Sequence, residues 1–524
     1  MSNNAFCYGK DRLILGKALE ISRGQIKGVL TEDAREKIRS SRKIVEEIVH
    51  KQIITYGINT GFGPLCTTLI GEDDTRKLQN NLLKSHSVGV GNLVEPGIAR
   101  LMLIFKVHSL AQGYSGVSIE TLERIIWHIE QDIIPCVPEQ GSVGASGDLA
   151  SLAHLFLPLI GLGEVMYQGE LFPTGELFRI LSIEPIDLGP KEGLALINGT
   201  QFISAHAAKF LERMQNCLDH ADIIAAMNLE AMMGSVKSFD EELHTLRPYS
   251  GSVYVAERMR LLTKDSEIVE SHKNCTRVQD PYSLRCIPQV HGASRNAWLH
   301  LKDTFHIEIN AVTDNPIIFS VDKTISGGHF HGQPMALPID YAALAASELG
   351  NISDRRVYLS LMEKVEGLPK LLMKNTGLNS GFMILQYTTA ALVSENKSLC
   401  YPASADSIPT SLGQEDHVSM GSISARKALK IVENLEAILA IELFTAAQGF
   451  EFRKPLQSGI LLDNSHEFIR SKIEFAENDR IFSKDIDLAC QIIRNKELTF
   501  YLKEICSEHQ IDFKNAEHET FGIY

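Results

Sequence analysis

The 524-residue chain lacks a basic excess: 51 lysines and arginines stand against 65 aspartates and glutamates, a formal charge of −14. A surface that neutralises phosphates needs the opposite balance, so a nucleic-acid partner is not expected. Its nine cysteines show no CxxC pair and no framework spacing, which suits reduced thiols in a cytoplasmic protein better than a disulfide scaffold. Met1–Lys10 has no basic stretch followed by an apolar core, so no secretory leader is expected. The most apolar helical stretches, around Ile98–Leu110 and Leu435–Ala447, are short or carry charges, and no membrane span is expected. HExxH, P-loop and glycine-rich Rossmann sequences are also missing. His329-Phe330-His331 sets two histidines one residue apart, but with no evident third ligand it reads as a loop, and no metal is expected.

Proline is missing from three long intervals, Pro190 to Pro248, Pro338 to Pro369 and Pro409 to Pro455. The first carries Ile203, Ala207, Phe210, Leu211, Met214 and Leu218 at helical spacing, continuing into Ile223–Met233. The second carries Tyr341, Leu344, Ala345, Leu349 and Ile352, and the third Val432, Leu435, Leu439 and Leu443. Such stripes predict long helices packed as a bundle. Thr31 predicts an N-cap for a helix through Ala34, Ile38, Val45 and Ile48, and Leu122–Ile134 a second helix ending at Pro135. No repeat or low-complexity linker interrupts the chain. The expected architecture is mainly α, with residues 1–200 as an N-terminal portion and 201–524 as the long-helix bundle and C-terminal helical region.

Glycine-rich segments separate these helices, and one of them carries unusual chemistry. In Gly141-Ser142-Val143-Gly144-Ala145-Ser146-Gly147-Asp148-Leu149 the amide nitrogen of Gly147 can attack the carbonyl carbon of Ala145. Loss of two waters then leaves a five-membered imidazolone, with Ser146 as its exocyclic methylidene. Gly147 lacks the Cβ that would block the approach. Ser146 supplies the hydroxyl that leaves, and Ala145 is small enough for a bent backbone. Two plainer readings stand beside this one: an ordinary Gly/Ser loop, or a nest of N–H groups for a phosphate.

Five motifs in order decide between them: Tyr56-Gly57-Ile58-Asn59-Thr60-Gly61-Phe62-Gly63, the Gly144–Leu149 loop, Leu196-Ile197-Asn198-Gly199-Thr200, Gln279-Asp280-Pro281-Tyr282-Ser283-Leu284-Arg285 and Thr313-Asp314-Asn315-Pro316. Together they resemble the aromatic amino acid ammonia-lyase family, over about Tyr56 to Gly449. The resemblance implies a mainly α long-helix bundle of the fumarase/aspartase-like type. It also implies a 4-methylideneimidazol-5-one (MIO) formed from Ala145, Ser146 and Gly147, with no external cofactor, and a homotetramer whose active sites are shared between chains. In chemical terms, an electrophile that captures the substrate's α-amine turns a poor leaving group into a better one. By the same resemblance Tyr56 takes the β-proton and Tyr282 helps position base and substrate. Arg285 clamps the carboxylate with its planar fork. Asn198 and Gln279 hydrogen-bond around the carboxylate and ring, and Phe330 contacts substrate or ring. Taken alone, Tyr56 is more often a half-buried loop phenol, and Asn198-Gly199 a plain turn. The spacing of three between Gln279, Tyr282 and Arg285 places these side chains near one face.

By the same resemblance, substrate choice turns on two positions. His86, in Lys84-Ser85-His86, suits a ring that bears a hydrogen-bonding group. Glu415, in Gln414-Glu415-Asp416-His417, can accept from an imidazole N–H in a way that an amide cannot match. Their joint occurrence favours L-histidine, with trans-urocanate and ammonia as products. A tyrosine ammonia-lyase or an aminomutase is the alternative enzyme, and a catalytically retired binding or structural homologue the alternative of a different class. Three positions depart from the family pattern: Ser151 where proline is common, His329 where asparagine usually precedes Phe330, and Gly332-Gln333 in place of Ala-Glu.

Overall fold

In the computed structural model, which describes residues 5–65, 67–68, 70–274, 277–513 and 520–524, the three proline-poor intervals form three long helices. Seven helices position the site: α1 (Pro96–Leu110), α2 (Leu149–Phe156), α3 (Glu192–Ile197), α4 (Gln201–Ala231), α5 (Ile287–Glu308), α6 (Gln333–Ser360) and α7 (Gly421–Glu451). The fold is mainly α, as the sequence predicts. Helix α4 lies at the centre, packed on α1, α5, α6 and α7, and α7 also packs along α6. At 31 residues, α4 runs about 45 Å from end to end.

The apolar stripe on α4 understates its burial. Polar positions between the stripe residues are covered as well, among them His206, Gln215, His220, Asp222 and Asn228. His206 and His220 bond carbonyls one turn back on α4 itself, whereas Asp222 and Asn228 find partners on neighbouring helices. Asp222 accepts from His291 Nδ1 at 2.8 Å, Arg258 Nε at 2.9 Å and Arg295 Nη2 at 2.6 Å. Burial alone would raise this carboxyl, but Arg295, the His291 hydrogen bond and Arg258 outweigh it and hold the group well below the usual carboxylate range. Arg356 of α6 similarly grips Glu442 of α7, with Nη2–Oε2 at 3.0 Å. Breaking one side of such a buried pair costs about 3–5 kcal/mol, so these contacts hold the long helices in register.

Thr31 caps its helix (Glu32–His50) as predicted, its hydroxyl accepting from Ala34 N at 3.3 Å. Two boundaries differ from expectation. The helix expected over Leu122–Ile134 is Ile119–Glu130: Asp132 takes φ +54° and Ile134–Pro135 leaves as a short strand. Helix α6 starts before Pro338 and contains it. The hydrogen bond that Pro338 forfeits is to the first-turn carbonyl of Pro334, where the loss disturbs the helix little.

The remainder of the N-terminal portion is short helices and small sheets. Strand Pro138–Gln140 pairs with Val90–Leu93, and the chain then passes through the Gly141–Asp148 loop into α2. Among the described residues no helix is long and apolar enough to cross a membrane.

Candidate active site

The Gly141–Asp148 loop is pinned on two sides. Toward α7, Met420 N donates to Val143 O at 2.9 Å and Ser422 Oγ to Ser142 O at 2.6 Å. Toward α3 and α4, Gly199 N donates to Ser146 O at 3.3 Å, and Asp148 N donates to Gly199 O at 2.8 Å. Gly147 has φ +82°, and a Cβ on it would sit 2.1 Å from Gly199 O. No other residue fits there.

Asp148 does what the sequence around α4 does not. Thr200, at the start of α4, makes no capping bond with its side chain. Instead the buried Asp148 carboxylate accepts from Phe202 N and Ile203 N, both at 3.0 Å, and so satisfies two of the orphan donors at the helix start. Burial pushes the Asp148 carboxyl up to about 7, against the pull of those N–H groups and of Lys106.

The Ser146 hydroxyl faces a carboxylate. It donates to Glu415 Oε1 at 3.0 Å, while Glu415 Oε2 accepts from Thr410 Oγ1 at 3.0 Å and Ser411 Oγ at 2.7 Å. Two adjoining cavities, of about 390 and 330 Å³, share Tyr56, Gly63, Ser146 and Glu415 in their walls. His86 and Asn198 line the larger, Ala145 and Phe330 the smaller. Tyr56 is half-buried, and its hydroxyl oxygen receives Gly63 N at 3.4 Å. His86 ends the helix Glu72–His86, with Nδ1 3.0 Å from Ser85 Oγ. Burial lowers its pKa, although the Leu82 carbonyl and Glu415 oppose this. A neutral imidazole therefore faces the cavity near neutral pH, able to donate from one nitrogen and accept at the other.

Seven of the eleven sequence-derived residues thus meet at one site: Tyr56, His86, Ala145, Ser146, Asn198, Phe330 and Glu415. Gly147 lies beneath it in the same loop. Gln279, Tyr282 and Arg285 do not join them. They do share a face, as the spacing predicts: Arg285 lies 4.5 Å over the Tyr282 ring and donates to Gln279 Oε1 at 3.0 Å. Their segment, however, is anchored at the far end of α4. Arg277 donates to the carbonyls of Met232 and Met233, and Asp280 accepts from Ser235 N at 2.6 Å. Ser146 sits against the start of α4, so about 45 Å of helix separates the two groups. Tyr282 is 71% exposed there.

The three departures are accommodated locally. Ser151 is buried within α2, Gln333 opens α6 and donates to Ser404 O at 3.3 Å, and His329 is exposed beside Phe330. Sequence reasoning missed Thr410 and Ser411 as supports of Glu415, because their role depends on a chain reversal that closes Thr410 onto Glu415. It also missed Lys106, which a lone ammonium among Leu101–Leu110 could have signalled. Among the described residues no three His, Cys, Asp or Glu side chains cluster to hold a metal.

A model of the aromatic amino acid lyase family matches residues 13–471. The histidine ammonia-lyase of Natranaerobius thermophilus is 45% identical over 481 residues, covering 91% of this chain and 95% of that protein. Among solved structures, a histidine ammonia-lyase from Trypanosoma cruzi superposes with a TM-score of 0.88 at 39% identity, covering 95% of both chains. A tyrosine aminomutase from Streptomyces globisporus superposes with a TM-score of 0.90 at 32% identity, covering 95% of this chain and 98% of the other.

Proposed function

Since the chain belongs to the aromatic amino acid lyase family, we propose that it deaminates L-histidine to trans-urocanate and ammonia, with an electrophile made from its own Ala145, Ser146 and Gly147. The observation that carries this reading is the Glu415 carboxylate bonded to the Ser146 hydroxyl, in a cavity that His86 also lines.

The loop residues suit the ring. Joining Gly147 N to the Ala145 carbonyl carbon releases that carbonyl oxygen as water, with the N–H hydrogens of Ser146 and Gly147. Loss of the Ser146 Cα hydrogen and Oγ hydroxyl as a second water leaves the methylidene. The backbone of Gly147 already holds φ +82°, under a Gly199 carbonyl that leaves no room for a Cβ. Once formed, the MIO supplies an electrophilic carbon for the substrate amine. Glu415 and His86 then offer an acceptor and a neutral imidazole to the substrate ring, and Tyr56 stands over the same space as the base for the β-proton. Asn198, 3% exposed, is placed to hydrogen-bond the carboxylate or the ring.

Purified protein offered L-histidine, L-tyrosine and L-phenylalanine separately is expected to release the unsaturated acid fastest from histidine. Faster turnover of tyrosine overturns the substrate assignment, and a β-amino acid as main product would make it an aminomutase.

The carboxylate clamp completes the site only if it comes from another copy. A second chain packed antiparallel supplies Gln279, Tyr282 and Arg285 to the first chain's loop, because these groups lie at opposite ends of the same bundle. An outward stripe on α6 fits such an interface: Leu337, Tyr341 and Leu344 are each more than half exposed. The assembly proposed is a homotetramer with shared sites. Ser146→Ala and Arg285→Ala chains, each inactive alone, should together regain about a quarter of wild-type activity when co-expressed, since each contribution to a site is intact in half of the chains. No recovery in mixed assemblies would place the whole site in one chain.

A further inference from the structure

Lys106 is 1% exposed and projects from α1 into the back of the site. Its ammonium donates to Asn198 O at 2.5 Å and Ala195 O at 3.2 Å, two carbonyls at the end of α3 that lack intrahelical donors. The next residue, Gly199, carries the contacts that hold the reactive loop: its N–H meets Ser146 O and its carbonyl lies over Gly147. An unbroken run therefore leads from the Lys106 ammonium through the 198–199 turn to the atoms that must condense.

The charges nearby favour Lys106 as an ammonium. Asp314 and Asp148 attract it and Lys191 repels it, but Lys191 is itself tied to Asp314 at 2.7 Å. Two lysines and two aspartates are thus buried together behind the loop. The ammonium still bears a penalty, since burial pulls Lys106 down to about 7. An apolar residue of the same length would fill the space without that cost. What it could not do is bond two carbonyls at once.

We propose that Lys106 is a positioning residue for ring closure: by tying the Ala195 and Asn198 carbonyls, it fixes the 198–199 turn that holds Ser146 and Gly147 in the condensing geometry. This rests on the reading of Ala145-Ser146-Gly147 as the source of the electrophile. The test uses full-length protein, intact-mass measurement over time for the loss of two waters, and circular dichroism for the fold. Lys106→Met is expected to fold yet to lose the waters about 10²-fold more slowly, the scale of a misplacement near 1 Å. Lys106→Arg, which keeps two or more donors, should close within about threefold of wild type, and Lys106→Gln should fall between. Wild-type protein that never loses the waters would sink the electrophile and Lys106's role together. Wild type that does, with Lys106→Met closing at the same rate, overturns Lys106's role alone. Should Lys106→Met fail to fold, equal rates for Lys106→Gln and Lys106→Arg would overturn it.

Discussion

Ser146→Ala is expected to fold normally and to lose at least about 10³-fold in kcat with L-histidine, in line with deleting the reactive centre of a covalent catalyst. Without the hydroxyl there is no second water to expel and no methylidene to form. The lost side-chain contact is small: Glu415 keeps its bonds from Thr410 and Ser411, and the Gly199 contacts of the loop are to backbone. Steady-state assays beside circular dichroism and intact mass would check this. A folded variant with a kcat within tenfold of wild type would falsify a Ser146-derived electrophile.

Glu415→Gln is the second large effect. Thr410 and Ser411 donate to Glu415 Oε2, and ring closure removes the Ser146 hydroxyl from Oε1, which leaves that oxygen to accept an imidazole N–H of the substrate. Glutamine keeps the shape but replaces one oxygen with an NH2 that would face a donor. Histidine turnover should fall about 10²-fold, the typical contribution of a positioned acid or base. The ratio of histidine to tyrosine turnover should fall with it, since a phenol does not need a carboxylate in the same way. Paired kcat/KM values for the two amino acids measure both effects. An unchanged ratio means Glu415 has no part in substrate choice.

How far each feature could be read beforehand follows from its range along the chain. The Thr31 cap was legible because the side chain bonds the N–H of Ala34, three residues on. The end of the helix expected at Ile134 was not, because Ile134 is drawn into a sheet with Met166, thirty-two residues away. Helix α4 was legible as a helix from its spacing. Its cap was not, because the cap is Asp148, fifty-four residues from Phe202. At the site, Ser146, Tyr56, Asn198 and Glu415 were named from motifs, yet that the Ser146 hydroxyl bonds Glu415 spans 269 positions. Lys106 lay concealed in an apolar run, since nothing local marks a lysine whose acceptors are some ninety residues on.

Residue identities alone determined the chemistry available: a tripeptide able to condense, a phenol, a carboxylate, an imidazole and a guanidinium, spaced along a chain of long helices. Those are properties of side chains and of local backbone, and folding does not alter which atoms are present. Tertiary structure alone decided which of them meet. Seven converge at the start of α4, while the guanidinium group is carried to its other end, because a 31-residue helix is a rigid rod.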